Sequence, residues 1–406
     1  MRPVKGVYAA AKSALAFGVT HIICPEKNAK ELENIPGLKV ASVNNLSDAV
    51  YAIQNPEMFK TIEPQKKVSN EVQFDESIKK EDVSVPENIY KTLRAIEVAI
   101  AGKHNLLITG APGCGKTMAI QNLVPYLTPL LTDEESNSVN RIYSLAGLSN
   151  LSNVFNKKAP FRMPHQTASI EGICGGGITC RPGEISLAHN GVLFLDEAAE
   201  FKSSVLQMLR VPLESQTITL SRAGRSTIYP ANFQLMMAAN PCPCGNCGSH
   251  DKTCLCSAKT IDMYWKKFSD PLMDRVAIKD SVEKNEKDKR KFDLDKSRER
   301  IKKAYEIQRK RNRYNDELLP EQTDINNSIF SEKCKDFYNS KIEEDFSSRA
   351  KANIRKVSIT IANMEGRENV LLKDLKEAYN MCLPVLEKDR SLSLEKKKEK
   401  EIEFTR

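Results

Sequence analysis

Hydrophobic and polar positions follow two different patterns along this chain. From about residue 86 to 280, short apolar runs alternate with stretches in which apolar residues recur at helical spacing. The pattern predicts helices over 87–101 and 116–127 and strands over 106–109, 192–195 and 233–239. Such alternation is typical of an α/β fold with a doubly wound parallel sheet, which binds its ligand at the carboxyl ends of its strands.

The regions on either side of this core, which we assign to residues 86–280, have other patterns. Residues 1–55 alternate short helical and strand-like segments and predict a small α/β domain, whereas residues 56–85 are polar and predict a linker. Apolar spacing is helical throughout residues 281–388, which predicts an all-α lid domain. A charged tail is predicted over residues 389–406.

The first predicted strand of the core leads into a glycine-rich loop. Residues 106–117 read L-L-I-T-G-A-P-G-C-G-K-T, an apolar strand followed by the pattern G-x-x-x-x-G-K-[ST]. Glycines let such a loop turn its N–H groups towards phosphate oxygens, the lysine reaches the β- and γ-phosphates, and the threonine hydroxyl binds Mg²⁺. We therefore predict that ATP and Mg²⁺ bind at Gly110, Ala111, Pro112, Gly113, Cys114, Gly115, Lys116 and Thr117.

Polar residues follow the next two predicted strands of the core. Asp196 and Glu197 come directly after the apolar residues 192–195. We expect Asp196 to hold Mg²⁺ through water or Thr117, and Glu197 to orient and polarise the attacking water. Asn240 ends the following strand and is expected to position that water, although an Asn-Pro turn also explains an asparagine there.

A β-hairpin is predicted between these two strands. Residues 217–229 alternate apolar and polar side chains on both sides of an Ala-Gly turn. Arg222 and Arg225 flank that turn, and two guanidiniums at the tip of a rigid projection suit the binding of a DNA backbone in a pore. Arginines that only keep the hairpin soluble are the alternative.

A cysteine-rich loop over 241–257 follows Asn240. Its spacing is C-x-C-x₂-C-x₆-C-x-C, in a segment with almost no apolar residues. Thiolates can hold a tetrahedral Zn²⁺ that stabilises such a loop. Because two intervals are C-x-C and not the commoner C-x₂-C, unliganded thiols are the alternative to a zinc site. The candidate ligands are Cys242, Cys244, Cys247, Cys254 and Cys256.

Composition narrows the class of protein and of partner. The formal net charge is +8, and the surplus of Lys and Arg is concentrated in residues 279–313 and 388–406. This suits a polyanion partner, with a solvated helical surface as the alternative. Because no apolar run is long enough to span a membrane and no signal segment opens the chain, we expect a cytoplasmic protein with reduced or metal-bound cysteines.

Three longer strings carry a resemblance to a known family. They are P-G-E-I-S-L-A-H-N-G-V-L-F-L-D-E (182–197), Y-P-A-N-F-Q-L-M-M-A-A-N-P-C-P-C-G (229–245) and P-L-M-D-R (271–275). They resemble the magnesium-chelatase-like AAA+ ATPases of the bacterial competence type, the ComM/YifB family, across about residues 1–385. The resemblance implies an AAA+ core with an inserted hairpin, a helical lid, assembly into homo-hexameric rings, and DNA branch migration during transformation.

The resemblance also implies roles for single residues. Asn240 corresponds to the first sensor, Arg275 to an arginine finger offered to a neighbouring subunit, and Arg349 to the second sensor of the lid. An arginine supplied across an interface stabilises charge on the transferring phosphoryl group, so hydrolysis is expected to require assembly. A surface ion pair at Arg275 and a helix-surface charge at Arg349 are the alternatives.

The chain departs from the family pattern at two places. The family's F-R-x-P-H-H-T segment is F-R-M-P-H-Q-T here (161–167). A structural role is expected for His165, and a place for His165 and Arg162 at the pore or the subunit interface is the alternative. Family members usually begin with a longer α/β domain that resembles part of the Lon protease and ribosomal-protein fold, and residues 1–6 resemble its interior. A part encoded elsewhere, a misplaced start and a decaying copy each explain this.

Taken together, these patterns predict a Mg²⁺-dependent, ring-forming ATPase. The leading hypothesis is a motor for DNA translocation or branch migration in transformation or recombination. A chelatase-type subunit that remodels a protein inserting Mg²⁺ into a porphyrin is one alternative, and a fragment that cannot form rings is another.

Overall fold

The chain folds around one parallel β-sheet, with a small mixed sheet before it and a helical region after it. The computed structural model describes residues 1–33, 35–63, 71–78, 83–148, 157–222, 225–247, 252–282, 289–344 and 346–383. The strands are β1 (His21–Pro25), β2 (Lys39–Val43), β3 (Lys60–Thr61), β4 (Val83–Pro86), β5 (Leu106–Gly110), β6 (Phe161–Arg162), β7 (Gly175–Gly176), β8 (Arg181–Pro182), β9 (Val192–Leu195), β10 (Thr217–Arg222), β11 (Arg225–Pro230), β12 (Gln234–Ala239), β13 (Ile278–Val282) and β14 (Lys289–Phe292).

Helices flank these strands. The α-helices are α1 (Val7–Ala16), α2 (Ala29–Leu32), α3 (Leu46–Gln54), α4 (Glu87–Gly102), α5 (Lys116–Leu127), α6 (Asp133–Ala146), α7 (Ile170–Cys174), α8 (Glu184–Leu187), α9 (Ser203–Met208), α10 (Pro212–Ser215), α11 (Ala258–Trp265), α12 (Asp270–Met273), α13 (Leu294–Lys310), α14 (Glu332–Lys341), α15 (Ser348–Met364) and α16 (Leu372–Cys382). Short 3₁₀ turns lie at Glu26–Asn28, Pro56–Met58, Ala198–Glu200, Lys266–Phe268, Asn315–Glu317 and Pro320–Thr323. Within the described ranges, no helix has the length and apolar character needed to cross a membrane.

The central sheet has the strand order β13–β5–β12–β9–β6, and each neighbouring pair is parallel. Every residue of β5, β9 and β12 is buried, which explains why these strands are continuously apolar. The predicted α/β architecture with a parallel sheet is therefore confirmed. Because the strands run in the same direction, the segments that follow β5, β9 and β12 meet at one edge of the sheet.

The N-terminal unit is a small mixed sheet with helices. Strands β1 and β2 pair in parallel and β3 pairs antiparallel with β2, so the unit continues past residue 55 into the predicted linker. Helix α1 packs on α6 of the core, where Tyr8 Oη donates to Asn137 Oδ1 at 2.6 Å. Ser144 Oγ donates to Glu31 Oε2 at 3.0 Å in the same buried contact. The small unit is thus joined to the core by polar as well as apolar contacts.

The C-terminal helices form one core with the central sheet. Helices α13 and α15 pack against α4, and their buried apolar side chains belong to the same cluster as those of β5 and α5. Strand β14 pairs antiparallel with β4, so a strand lies inside the segment predicted to be wholly helical. The predicted tail over 389–406 lies outside the described residues.

A buried polar network fastens the helical region to the amino end of the sheet. Lys103 Nζ lies 3.3 Å from Glu135 Oε1, which also accepts a hydrogen bond from Tyr314 Oη at 2.7 Å. Burial raises the pKa of Glu135, but Lys103 and these hydrogen bonds outweigh it and lower that pKa to about 2. Next to it, His104 Nε2 lies 2.7 Å from Thr360 Oγ1, and burial lowers the pKa of His104 to about 3.

Two further titratable groups lie at the same end of the sheet. His189 Nδ1 accepts from the Asn232 N–H at 3.1 Å, and burial lowers the pKa of this histidine to about 4. Burial has the opposite effect on an acid, and it raises the pKa of Asp316 to about 7. A cleft of about 910 Å³, lined in part by Glu135 and His189, opens beside them and away from the phosphate loop.

The predicted hairpin is present. Strands β10 and β11 pair antiparallel, with Arg222 opposite Arg225 in the last pair before the turn. The turn residues 223–224 lie outside the described residues.

Both sides of the hairpin base are bound to the helical region. Gln216, just before β10, has φ 54° and donates from Nε2 to Glu317 Oε1 at 3.1 Å. Asn232, just after β11, donates from Nδ2 to the same oxygen at 3.0 Å. One carboxylate of a 3₁₀ turn in the helical region therefore holds the entry and the exit of the hairpin.

Candidate active site

The phosphate loop joins the buried strand β5 to helix α5. Gly113 and Gly115 have φ of 79° and 86°, a left-handed conformation that other residues rarely adopt. Gly115 precedes α5, and no side chain caps the first N–H groups of that helix. Because uncapped N–H groups and the helix dipole both favour an anion, the loop and the start of α5 suit the binding of a phosphate group.

Lys116 is the first residue of α5, and its side chain folds back over the loop. Its Nζ donates to the carbonyl oxygens of Gly110 at 2.6 Å and Ala111 at 3.0 Å, and the residue is only 8% exposed. Nζ also lies 3.4 Å from Asn240 Oδ1. The contact exists because β5 and β12 are neighbours, so that residues predicted from two separate motifs meet at one edge of the sheet.

Thr117 and Asp196 form the second contact of the site. Thr117 Oγ1 lies 3.0 Å from Asp196 Oδ1 and 3.1 Å from Oδ2, although their positions in the sequence are far apart. Hydroxyl and carboxylate oxygens are the ligands that Mg²⁺ prefers, and Mg²⁺ commonly takes few protein ligands and keeps several waters. These two residues therefore fit a Mg²⁺ ion bound beside a nucleotide phosphate.

Glu197 stands at the end of β9 in an unusual backbone conformation. Its φ and ψ are 49° and 46°, in the left-handed region that costs a residue with a Cβ about 1 kcal/mol or more. Its N–H donates to Asp196 Oδ1 at 3.0 Å, which stabilises this turn. The side chain is exposed beside Asp196 and is therefore accessible to water.

The chain leaves the site through Asn240 and Pro241, which two aromatic side chains of α11 hold in place. Tyr264 Oη donates to the carbonyl oxygen of Asn240 at 3.1 Å, and Trp265 Nε1 donates to that of Pro241 at 3.1 Å. The amide of Asn240 is therefore fixed from its own backbone as well as by Lys116.

Four of the five predicted cysteine ligands come together. The Sγ atoms of Cys242, Cys244, Cys254 and Cys256 all lie within 4.8 Å of one another. Cys242 is 3.4 Å from Cys244 and 3.7 Å from Cys254, and Cys244 is 3.7 Å from Cys254. A Zn²⁺ ion with four sulfurs at about 2.3 Å gives sulfur separations of about 3.8 Å, so the donor set fits tetrahedral zinc.

Cys247 is not a member of this cluster. Its backbone N–H donates to Cys242 Sγ at 3.3 Å, a contact that stabilises a thiolate at Cys242. Of the five candidate ligands, four converge, which is the number that a structural zinc site needs.

The cysteine loop touches the phosphate loop. Gly245 has φ 75°, and a Cβ placed on it would lie 2.6 Å from Pro112 Cδ. Only glycine fits this approach without displacement. The cluster is therefore connected to the nucleotide site twice, through the Asn240 backbone and through Pro112.

Arg275 and Arg349, the two predicted arginines, bind one carboxylate. Arg275 Nη2 donates to Glu214 Oε2, and Arg349 Nη2 donates to Glu214 Oε1 at 3.2 Å. Arg275 is anchored further by a hydrogen bond from Nη1 to the carbonyl oxygen of Pro271. Hydrogen bonds from the arginines lower the pKa of Glu214, so its carboxylate is charged at neutral pH.

This arginine pair lies away from the phosphate loop of its own chain. Asn105, directly before β5, donates from Nδ2 to the carbonyl oxygen of Arg275 at 2.9 Å, so Arg275 is at the amino end of β5. The phosphate loop begins at the carboxyl end, which is about 16 Å away for a five-residue strand. Within the described residues, no hydrogen bond or ion pair connects either arginine with residues 110–117.

Comparison with known protein families gives one match over the core and one over the helical region. The family model described as "Magnesium chelatase, subunit ChlI" matches residues 84–290, and that of the C-terminal part of the same subunit matches residues 294–381. The chain belongs to the magnesium chelatase ChlI family. The first match ends inside β14 and the second begins with α13, about ten residues after the predicted start of the lid.

Several proteins are similar to this ChlI-family chain. Competence protein ComM of Haemophilus influenzae is 39% identical over 313 residues, which are 73% of this chain and 59% of that protein. YifB of Escherichia coli, an uncharacterised protein, is 37% identical over 279 residues, 68% of this chain and 53% of YifB. An uncharacterised protein of Mycobacterium tuberculosis is 37% identical over 282 residues, 69% and 54% of the two chains. The chain spans about half the length of these relatives.

The departure from the ChlI-like sequence pattern at 161–167 lies beside β6. Arg162 makes two hydrogen bonds of 2.7 Å to Glu184 and is half-buried, so it acts as a packing contact between β6 and α8. His165 is exposed, and its Nδ1 lies 2.8 Å from Thr167 Oγ1. The histidine thus stabilises a local turn.

Two contributors to the site were missed by the sequence analysis. Glu214 binds both arginines, and its one sequence feature is a position just before the first hairpin strand. The aromatic pair of Tyr264 and Trp265 supports Asn240 and Pro241, and it had a signal, two adjacent aromatics at the end of a short helix that follows the cysteine-rich loop.

Proposed function

We propose that this chain is a Mg²⁺-dependent ATPase that works in a ring and moves DNA. The convergence of Lys116, Thr117, Asp196 and Asn240 beside an exposed Glu197 carries the proposal. Lys116 binds the β- and γ-phosphates, Thr117 and Asp196 hold Mg²⁺, which neutralises charge on the phosphates, and Asn240 and Glu197 orient the water. The side chain of each of these residues has the functional group that its proposed role in phosphoryl transfer requires.

In the proposed ring, Arg275 and Arg349 act on the nucleotide of a neighbouring copy. The distance from the arginine pair to the phosphate loop of the same chain supports action across an interface. Arginine suits this role because its planar guanidinium binds phosphate through two parallel hydrogen bonds and is always charged. Hydrolysis would then depend on assembly.

Mixing two inactive variants tests the ring. Lys116→Ala removes phosphate binding but keeps the arginines, and Arg275→Ala keeps the phosphate loop but removes the finger. Each variant alone should hydrolyse ATP at least about 100-fold more slowly, and a mixture should recover activity because some interfaces combine two intact halves. A mixture that assembles yet stays inactive would exclude action across the interface.

DNA as the substrate is supported by charge and by the hairpin. The chain carries a net charge of +8, and Arg222 and Arg225 sit opposite each other next to the hairpin turn. Clustered positive charge on a projecting element suits a phosphate backbone. A similar protein carries the name competence protein ComM.

ATPase rates with and without branched and single-stranded DNA test this substrate. Stimulation should weaken between low and moderate salt, because phosphate contacts release counterions. It should be lost in Arg222→Ala/Arg225→Ala protein and kept in Lys333→Ala/Lys341→Ala, which removes the same charge from exposed positions on α14. Equal stimulation of both variants would refute the role of the hairpin.

A protein-remodelling subunit of the chelatase type is the second candidate. Both family models that match the chain carry the name of the magnesium chelatase subunit ChlI. This function predicts ATPase activity that is insensitive to DNA and stimulated by a partner subunit of a magnesium chelatase. Stimulation by DNA alone would exclude it.

A structural Zn²⁺ at the four clustered cysteines belongs to the same proposal. The separations of their sulfur atoms support it, and a loop with few apolar residues gains its stability from such an ion. Metal analysis should find one zinc per chain in wild-type and Cys247→Ser protein and none in Cys254→Ser. Metal-free wild-type protein from a zinc-replete preparation would exclude the site.

A further inference from the structure

Glu214 is the only described carboxylate within 4.0 Å of Arg275 or Arg349. Its two oxygens are divided between the arginines, Oε2 to Arg275 and Oε1 to Arg349. The side chain of Arg275 is 9% exposed, whereas those of Glu214 and Arg349 are 60% and 42% exposed. The carboxylate and the second arginine therefore face outward from an anchored first arginine.

Two guanidiniums that are bound to the same carboxylate repel each other. A carboxylate between the two guanidiniums attracts both of them, which offsets their repulsion and fixes the direction of both side chains. Each arginine still has N–H groups that do not point at Glu214, because a guanidinium has five donors. Arg349 uses one of them on Glu214, and Arg275 uses one on Glu214 and one on the Pro271 carbonyl oxygen.

We propose that Glu214 is a positioning residue that holds Arg275 and Arg349 side by side, so that both meet the phosphates of one nucleotide on a neighbouring copy. The inference rests on the proposed ring ATPase. It explains why one side chain, that of Glu214, binds both arginines, although Arg275 belongs to the core and Arg349 to the helical region.

Substitution of Glu214 should lower kcat and leave the affinity for ATP unchanged. ATP binds through the phosphate loop, which does not contact Glu214, so the dissociation constant depends on other residues. The transition state carries the charge that the arginines stabilise, and a misplacement of about 1 Å can cost about 100-fold in rate. Glu214→Gln keeps the size of the side chain and removes its charge, and Glu214→Asp keeps the charge on a shorter side chain.

A double-mutant cycle on the full chain tests the proposal. Glu214→Gln should lower kcat by roughly 10- to 100-fold with unchanged affinity for ATP, and Glu214→Asp should recover part of the loss. In a background that carries Arg275→Ala and Arg349→Ala, the same Glu214→Gln substitution should lower kcat no further. Glu134→Gln, an exposed acid on α6, is the control and should change neither quantity.

Every other outcome contradicts either the role of Glu214 or the role of the arginines. Unchanged or raised kcat in Glu214→Gln shows that the carboxylate does not position the arginines. An equal loss in both backgrounds shows that Glu214 acts through another group, and a lowered midpoint of thermal unfolding assigns it to the fold. Full activity of the Arg275→Ala/Arg349→Ala protein instead refutes the arginines themselves, and with them the proposed function.

Discussion

The two ends of the central sheet contain similar polar residues in opposite physical settings. At the carboxyl ends of β5, β9 and β12, Lys116, Asp196 and Glu197 surround a loop that is open to a ligand. At the amino ends, Lys103 and Glu135 form an ion pair in which the side chains are 17% and 16% exposed, beside a cleft of about 910 Å³. Each set contains a lysine and acids, but only in the second set are the lysine and an acid paired with each other.

The difference shows what burial does to charge in one sheet. A buried ion pair has already exchanged water for fixed partners, so it holds elements together and resists change. At the carboxyl end, Asp196 is half-buried and Glu197 is exposed, so these carboxylates still have hydrogen-bonding capacity for a metal ion or for water. Substitutions at the carboxyl end should therefore change chemistry, and those at the amino end should change the free energy of unfolding.

The largest effect is expected for Glu197→Gln at the carboxyl end. Loss of the water-orienting carboxylate should slow ATP hydrolysis about 1,000-fold, with binding of a fluorescent ATP analogue retained. Lys116→Ala should abolish binding itself, so the two variants separate binding from chemistry. Normal phosphate release by Glu197→Gln protein would show that another group orients the water.

At the amino end, Glu135→Ala should destabilise the protein without touching nucleotide binding. It leaves Lys103 buried without its ion pair, which costs about 3 kcal/mol in the free energy of unfolding. The exposed neighbour Glu134→Gln should change that free energy by less than about 0.5 kcal/mol. Urea unfolding measures both, and a weakened affinity for ATP in Glu135→Ala would contradict the separation of the two ends.

The amino end should also make stability depend on pH. His104 and His189 stay neutral in the folded protein, with pKa values lowered to about 3 and about 4, whereas unfolded histidines take up a proton near pH 6.5. Stability should therefore fall as pH falls from 6.5 towards 4, by about 1.4 kcal/mol per pH unit for each histidine.

Asp316 opposes this trend, because burial raises its pKa to about 7 and the folded protein keeps a proton that the unfolded chain has released. His104→Gln should thus flatten the pH dependence of the unfolding free energy between pH 6.5 and 5, and Asp316→Asn should steepen it. If the unfolding free energy of the wild type and of both variants changes with pH in parallel, the pKa values of His104 and Asp316 are not shifted by folding.

The smallest expected effect is that of Gly245→Ala at the carboxyl end. A Cβ there would meet Pro112, so the phosphate loop must shift and the affinity for ATP should fall about fivefold, or about 1 kcal/mol. Gly37→Ala is the control, since Gly37 has a similar φ of 82° but nothing within 4 Å of the new Cβ. If Gly245→Ala and wild-type protein bind ATP with equal affinity, the cysteine loop moves instead of the phosphate loop.

Sequence patterns predicted the carboxyl end far better than the amino end. The strand over 106–109 and the helix over 116–127 agree with β5 and α5, because a buried apolar run and a glycine loop are local signals. Contacts between distant residues have no such signal. Glu214 with its two arginines, Glu135 with Lys103, and Gly245 against Pro112 all depend on how separate elements pack.

Two other differences have local causes. Strand β14 is short and rich in Lys and Arg, so its pairing with β4 left no apolar alternation in the sequence. The cysteine spacing identified the loop, but it did not distinguish Cys247 from the four cysteines whose sulfur atoms converge. The roles of the arginines and the hairpin stay predictions that the experiments above address.

The hairpin base has a mechanical consequence. Glu317 holds both ends of the base. Further along the two arms, Ile218, Leu220 and Tyr229 belong to the same buried apolar cluster as residues of β9 and β12. The hairpin is therefore attached to the core along its arms and to the helical region at its base, so any change in the relative position of these two parts acts on the base of the hairpin.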